Sequence, residues 1–121
     1  MKILLVDDEQ ELVSTLAERL AMRGFDAHWF TNGNAALQYA QKEKCDLAVL
    51  DVKMPKIGGL ELQRQLAEMQ PRMKFIFLTG HGSEEDYLAG TRKGHSYLIK
   101  PVDIGQLLAK INEFLRQRNQ E

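Results

Sequence analysis

The chain has a single cysteine, three prolines, one tryptophan and almost no net charge, and none of its apolar runs is long. A lone Cys45 excludes an internal disulfide and a cysteine cluster for zinc; its expected place is as a small buried residue, not a redox centre. Sixteen Lys and Arg against 17 Asp and Glu leave a formal charge of −1. The basic face of a general nucleic-acid binder is therefore missing, and no direct nucleic acid contact is expected. No apolar stretch approaches the ~20 residues of a spanning helix, and Met1-Lys2 runs straight into an apolar segment with no signal-peptide pattern. No membrane partner is expected, and a cytoplasmic location follows by default. Internal repeats, low-complexity tracts and Pro/Gly/Ser linkers are also missing. The 121 residues therefore read as one domain, 1–121, with 117–121 either its tail or the start of a linker.

What is present is an alternation of short apolar runs with helical patterns. Ile3-Leu4-Leu5-Val6, Leu47-Ala48-Val49-Leu50, Phe75-Ile76-Phe77-Leu78 and Tyr97-Leu98-Ile99 are unbroken runs, the mark of strands buried on both faces of a parallel sheet. Ala27 to Phe30 makes a further strand, with His28 and Phe30 facing away from Trp29, which is expected to cover the sheet edge. Between the strands, Leu12, Val13, Leu16, Ala17 and Leu20 recur at helical spacing, with Gly24 as the expected C-cap. Helices are also expected over 35–42, after Thr31-Asn32-Gly33-Asn34 as break and cap, over 60–69, after a loop with Met54-Pro55 and Gly58-Gly59, and over 84–93 behind a Ser83 N-cap. Asp103 is expected to cap a last helix buried through Leu107, Leu108, Ile111, Phe114 and Leu115. Five β-α units in a row predict an α/β fold: a doubly wound, five-stranded parallel sheet in the order 2-1-3-4-5, in a three-layer sandwich.

In such a sheet, ligands bind beyond the carboxyl ends of the strands. Asp7 and Asp8 follow the first run, Asp51 the third, Thr79 the fourth and Lys100 the fifth. Singly, each has an ordinary reading: a helix cap, a turn residue, a strand end, a solvated lysine. Together on one rim they form a different object. Crowded carboxylates repel, raise one another's pKa and are tolerated mainly where a cation neutralises them. An all-oxygen set favours magnesium (Mg2+), with manganese (Mn2+) as the alternative, over zinc. Asp8 and Asp51 suit direct ligation, with Asp7 acting directly or through a water. A carboxylate can also attack phosphorus to give an acyl phosphate, and Asp51, on the central strand, is the best candidate nucleophile. Magnesium, the Lys100 ammonium and the Thr79 hydroxyl would then share the charge of the transferring group.

The segments Val6-Asp7-Asp8-Glu9, Leu50-Asp51-Val52-Lys53-Met54-Pro55 with Gly59-Leu60-Glu61-Leu62, Leu78-Thr79-Gly80-His81-Gly82 and Tyr97-Leu98-Ile99-Lys100-Pro101 resemble, in order and spacing, the receiver domain of two-component response regulators. The resemblance covers the chain from Lys2 to about Arg116 and implies a flavodoxin-like fold. By that resemblance Asp51 accepts a phosphoryl group from a phosphohistidine on a sensor histidine kinase. Asp7 and Asp8 hold magnesium with help from the Lys53 backbone carbonyl, Thr79 and Lys100 bind phosphoryl oxygens, and Thr79 and Tyr97 act as the switch. The Lys100-Pro101 bond is expected to be cis, which the small trans preference before proline permits. The domain would be no enzyme beyond its own phosphorylation and dephosphorylation. Its partners would be the kinase, a C-terminal output domain or separate effector, and a phosphorylation-dependent second copy. The surface of the fourth helix, fifth strand and fifth helix would face them.

Three rivals remain. A dehalogenase-like phosphatase needs an acid two residues after its nucleophile, where this chain has Lys53. A flavin or nucleotide binder needs a glycine-rich loop where Asp7-Asp8-Glu9 would repel phosphate. A receiver-like interaction module not regulated by phosphorylation would not need all five key residues. Lys53 and His81 each stand two residues past a key position and are candidates for the pocket mouth; His28 and His95 have no visible partner. Gly94-His95-Ser96-Tyr97 is one residue shorter than the family pattern, and Gly90 would cost a helix roughly 1 kcal/mol relative to Ala. The segment 84–93 is therefore expected to be shorter or more mobile than its neighbours. Hydrogen exchange checks this: its amides should exchange faster than those of the last helix, and equal protection would refute it.

Overall fold

An apolar residue at every position of a strand requires cover from both sides, and the chain provides it. The computed structural model describes residues 1–80 and 96–120. Strands β1 (Lys2–Val6), β2 (Asp26–Phe30), β3 (Leu47–Asp51), β4 (Lys74–Thr79) and β5 (Ser96–Ile99) pair in parallel in the order β2-β1-β3-β4-β5. This is the expected doubly wound sheet. Among the described residues, helices α1 (Gln10–Ala21), α2 (Gly33–Lys42), α3 (Gly59–Met69) and α4 (Ile104–Asn119) cover it.

The two-residue period of the strands divides the core in two. Leu4, Val6, Ala48, Leu50, Phe75 and Phe77 meet Ala36 and Leu37 of α2 and Leu62 and Leu66 of α3. The alternate residues Ile3, Leu5, Leu47, Val49, Ile76 and Leu78 meet Val13, Leu16 and Leu20 of α1 and Leu107 and Ile111 of α4. Each large side chain so buried contributes about 1.5–3 kcal/mol, so the three central strands are a rigid base for whatever follows their carboxyl ends. Leu108, Phe114 and Leu115 lie half-buried along the stripe expected for the last helix. Cys45 is buried, and burial pushes its thiol up to about 11, which keeps it protonated and unreactive.

The caps follow the sequence closely. The Asn32 side chain accepts from the Ala35 N–H at 2.9 Å and starts α2, and Asp103 accepts from the Gly105 N–H at 2.7 Å and starts α4. Gly24 is not the cap residue: α1 ends at Ala21 with Met22 as its C-cap. Gly24, at φ 90°, instead completes the turn beyond it, its N–H donating to the Ala21 carbonyl at 3.0 Å. The Lys100-Pro101 bond is cis, as expected. On edge strand β2, Trp29 is partly exposed, while Phe30 packs beside Tyr39. His28 has a partner that the sequence did not suggest, with Nε2 lying 2.7 Å from Asp26 Oδ1. The Ser83 cap, the helix over 84–93, His81 and His95 fall outside the described residues.

Gly59 fixes the loop after β3. Its N–H donates to the Val52 carbonyl at 2.8 Å, and a Cβ there would overlap the Asp51 carbonyl oxygen and lie 2.9 Å from Val52 Cα. Backbone, not a flexible side chain, is what would have to yield. Gly59→Ala is therefore expected to destabilise the protein by about 1–3 kcal/mol, against the ~1 kcal/mol that alanine ordinarily gains over glycine in a helix. A thermal unfolding midpoint equal to or above that of the parent would contradict the close approach.

Candidate functional site

Strand order decides which loops meet. With β1, β3, β4 and β5 side by side and parallel, Asp7 and Asp8 just past β1, Asp51 at the end of β3, Thr79 at the end of β4 and Lys100 just past β5 all reach the same rim. The Lys100 N–H donates to the Thr79 carbonyl at 2.7 Å, which ties the last two together. The structure thus brings together the side chains of Asp7, Asp8, Asp51 and Lys100, with Thr79 at the end of the neighbouring strand and joined to Lys100 through the backbone.

One oxygen from each of Asp7, Asp8 and Asp51 lies within 4.8 Å of the other two. Asp7 is fully buried and Asp51 nearly so, while Asp8 is exposed. Asp7 Oδ1 accepts from the Glu9 N–H at 2.9 Å. Its second oxygen, Oδ2, is buried without a hydrogen bond, although Lys100 Nζ stands 3.0 Å away as an ion-pair partner. The same ammonium is 3.0 Å from Glu9 Oε1 and 3.5 Å from Asp51 Oδ2. Thr79 is buried, and among the described residues its hydroxyl has a long contact to the Gly80 carbonyl, at 3.4 Å. Tyr97 is buried with its ring 5.0 Å from that of Phe77. The Lys53 side chain is exposed.

The electrostatics follow from this crowding. Burial, reinforced by the Asp7 charge and by Asp8 and opposed by Lys100, pushes Asp51 up to about 7. Asp7 is also raised, chiefly by burial, against the opposing pull of the Glu9 N–H and Lys100. For Lys100, burial works against the charge, but the contacts with Asp7 and Glu9 together outweigh it and hold the ammonium above its ordinary value. One ammonium cannot neutralise three carboxylates. Three carboxylates whose oxygens lie within 4.8 Å of one another are a donor set for a hard cation, and its all-oxygen character fits magnesium.

Two contributors were missed in the sequence. Glu9 was read only as part of an acidic run, and its side chain reaches Lys100; the run of three acids was the available signal. Gly59, read as loop, presses α3 against the chain carrying Asp51, and no sequence signal marks that distance.

The family model for the response regulator receiver domain matches residues 3–112. Among curated proteins, the transcriptional regulatory protein GlrR of Escherichia coli K12 is 37% identical over 95% of this chain, which covers 26% of GlrR. The chain spans about a quarter to a half of the length of curated relatives that it matches. A receiver domain protein from Clostridium thermocellum superimposes with a TM-score of 0.89 at 28% identity, covering 98% of this chain and 97% of that one. A response regulator from Burkholderia pseudomallei, solved with a phosphorylated aspartic acid, a calcium ion and citrate, matches with a TM-score of 0.80 at 30% identity. The match covers 89% of this chain and 64% of that one.

A raised Asp51 has a thermodynamic sign. Between the ordinary carboxylate value of 3.8 and about 7, the folded state holds a proton that the unfolded chain has released, so the contribution of this group to stability falls as pH rises through that window. Without divalent cations, the midpoint of thermal unfolding should therefore drop between about pH 4 and 7, and Asp51→Asn should remove much of that drop. Added magnesium should stabilise strongly at pH 8 and little at pH 5. A magnesium effect independent of pH would contradict the assignment of the shift to Asp51.

Proposed function

The chain belongs to the response regulator receiver domain family, and from that premise we propose that Asp51 is its phosphoacceptor and the other four rim side chains its chemical support. The family is a phosphorylation-dependent switch acting on a downstream partner, and its chemistry is confined to its own phosphorylation and dephosphorylation. The observation that carries the residue assignment is the meeting of Asp7, Asp8 and Asp51 with Lys100 at one rim, with Asp51 Oδ2 3.5 Å from the ammonium.

The donor is a phosphohistidine of a sensor histidine kinase. An Asp51 carboxylate oxygen attacks phosphorus, a P–O bond forms as the P–N bond breaks, and the electron pair leaves with the imidazole, which is protonated from solvent. Lys100 supplies positive charge to one phosphoryl oxygen, and Thr79, with its hydroxyl only loosely held, turns to donate to another. Asp7, Asp8, Asp51 and the Lys53 carbonyl would hold magnesium, which supplies charge neutralisation to the acids and to the entering group. The phosphorylated aspartic acid in the Burkholderia pseudomallei relative supports this reading.

Readout runs through the neighbouring surface. Thr79 and Tyr97 are buried on the adjacent strands β4 and β5, and Ile99, next to Lys100, is 52% exposed. An apolar side chain there, beside the residue that contacts the phosphoryl group, suits a surface that changes its partner on phosphorylation. The partner is a C-terminal output domain, a separate effector or a second copy of the chain. Residues 1–121 act as one receiver domain, with 117–121 a tail or the start of a linker. No described helix is long and apolar enough to cross a membrane, and a cytoplasmic site of action fits a kinase-fed switch.

Incubation with magnesium and acetyl phosphate should add the mass of one phosphoryl group, and Asp51→Asn or chelation of the cation should abolish the gain. Lys100→Met should slow the reaction by about 10²-fold, the scale of losing one positioned charge partner. No mass gain would favour an interaction module that works without phosphorylation. Multiple turnover on an added phosphomonoester would favour a phosphatase.

A further inference from the structure

Glu9 occupies the N-cap position of α1, yet its side chain makes no capping hydrogen bond. It reaches instead to Lys100, 91 positions away in sequence, with Oε1 3.0 Å from Nζ. Asp7 Oδ2 holds the same ammonium at 3.0 Å, whereas Asp51 Oδ2 is at 3.5 Å. The cation is thus drawn toward the β1 side of the rim by two carboxylates and stands farthest from the third. The two holders differ in freedom. Asp7 is fully buried and pinned through its other oxygen by the Glu9 N–H, while the Glu9 side chain is 63% exposed. Glu9 is the contact that can let go.

We infer that Glu9 is a positioning residue that holds the Lys100 ammonium back from the phosphoryl pocket and so sets the rate at which Asp51 is phosphorylated. The inference rests on the reading above in which Lys100 neutralises a phosphoryl oxygen. An incoming phosphoryl group competes with Glu9 for that ammonium, and the competition costs what the exposed ion pair is worth. Such a contact weakens with ionic strength, because exposed charges are screened by salt. The step itself is unchanged: with acetyl phosphate, a P–O bond forms to Asp51 as the P–O bond to the acetyl group breaks, and acetate leaves with the electron pair.

The experiment compares phosphorylation rates of the parent, Glu9→Gln, Lys100→Met and the double variant, using acetyl phosphate at saturating magnesium and at low and high potassium chloride. Glu9→Gln should react about two- to five-fold faster at low salt, the scale of an exposed ion pair. Added salt should accelerate the parent relative to Glu9→Gln until the two converge, a response that a purely structural role would not produce. In the Lys100→Met background, Glu9→Gln should have no further effect. A Glu9→Gln rate equal to or below that of the parent overturns the inference while a slowed Lys100→Met leaves the Lys100 reading intact. A Glu9 effect that persists without Lys100 overturns it too, because Glu9 would then act directly on the donor or the cation. Lys100→Met at the parent rate removes the role of Lys100 and the inference with it.

Discussion

Three crowded carboxylates with one ammonium at their side is the condition from which the rest of this molecule follows. Asp7, Asp8 and Asp51 bring oxygens within 4.8 Å of one another, and Lys100 pairs with two of them, Asp7 and Asp51. The arrangement is under-neutralised, and a fold that holds it has stored a preference for further positive charge. Magnesium satisfies that preference on the metal side. The raised Asp51 pKa is the same deficit seen from the proton side: burial and the Asp7 charge resist ionisation until a cation arrives.

Such crowding persists only on a base that does not relax. Leu4, Val6, Ala48, Leu50 and Phe77 on one face and Ile3, Leu5, Val49, Ile76 and Leu78 on the other are buried in β1, β3 and β4, so the ends of these strands cannot drift apart to relieve the repulsion. The sheet is parallel, so its carboxyl ends share one pole. The approach of Gly59 to the Asp51 carbonyl fixes the loop from the far side. Against this rigid frame, two contacts have more freedom: the long hydrogen bond of the buried Thr79 and that of the exposed Glu9 side chain. A switch needs such a division between what is held and what can move.

Some features were legible because they are local. The apolar runs at 3–6, 47–50 and 75–78 announce buried strands wherever they occur, and Asn32 and Asp103 cap helices through amides two or three residues away. Gly24 was legible in kind but not in place, because a helix end and the turn after it draw on the same residue type, and the backbone closes on Met22 before reaching Gly24. Glu9 and Gly59 were not legible in their roles. The partner of Glu9 is 91 positions distant, and the constraint on Gly59 is the passage of another stretch of backbone, which demands glycine there without saying what approaches it. The pairing of His28 with Asp26 is a matter of side chains two apart on one strand face, visible only once the strand is known to start at Asp26.

By itself, the sequence determined that Asp7, Asp8, Asp51, Thr79 and Lys100 terminate strands, since alternation of apolar runs with helical patterns is a short-range property that each segment expresses alone. It determined also that one rim would receive them, since parallel strands joined by crossover helices have their carboxyl ends at a common pole. Distances were decided only in three dimensions. Which carboxylate lies nearest the ammonium, which oxygen is left without a hydrogen bond and which acid is lifted toward neutral pH depend on burial and on Coulomb interactions that change within an ångström or two. No pattern of residue types along a chain encodes separations that small.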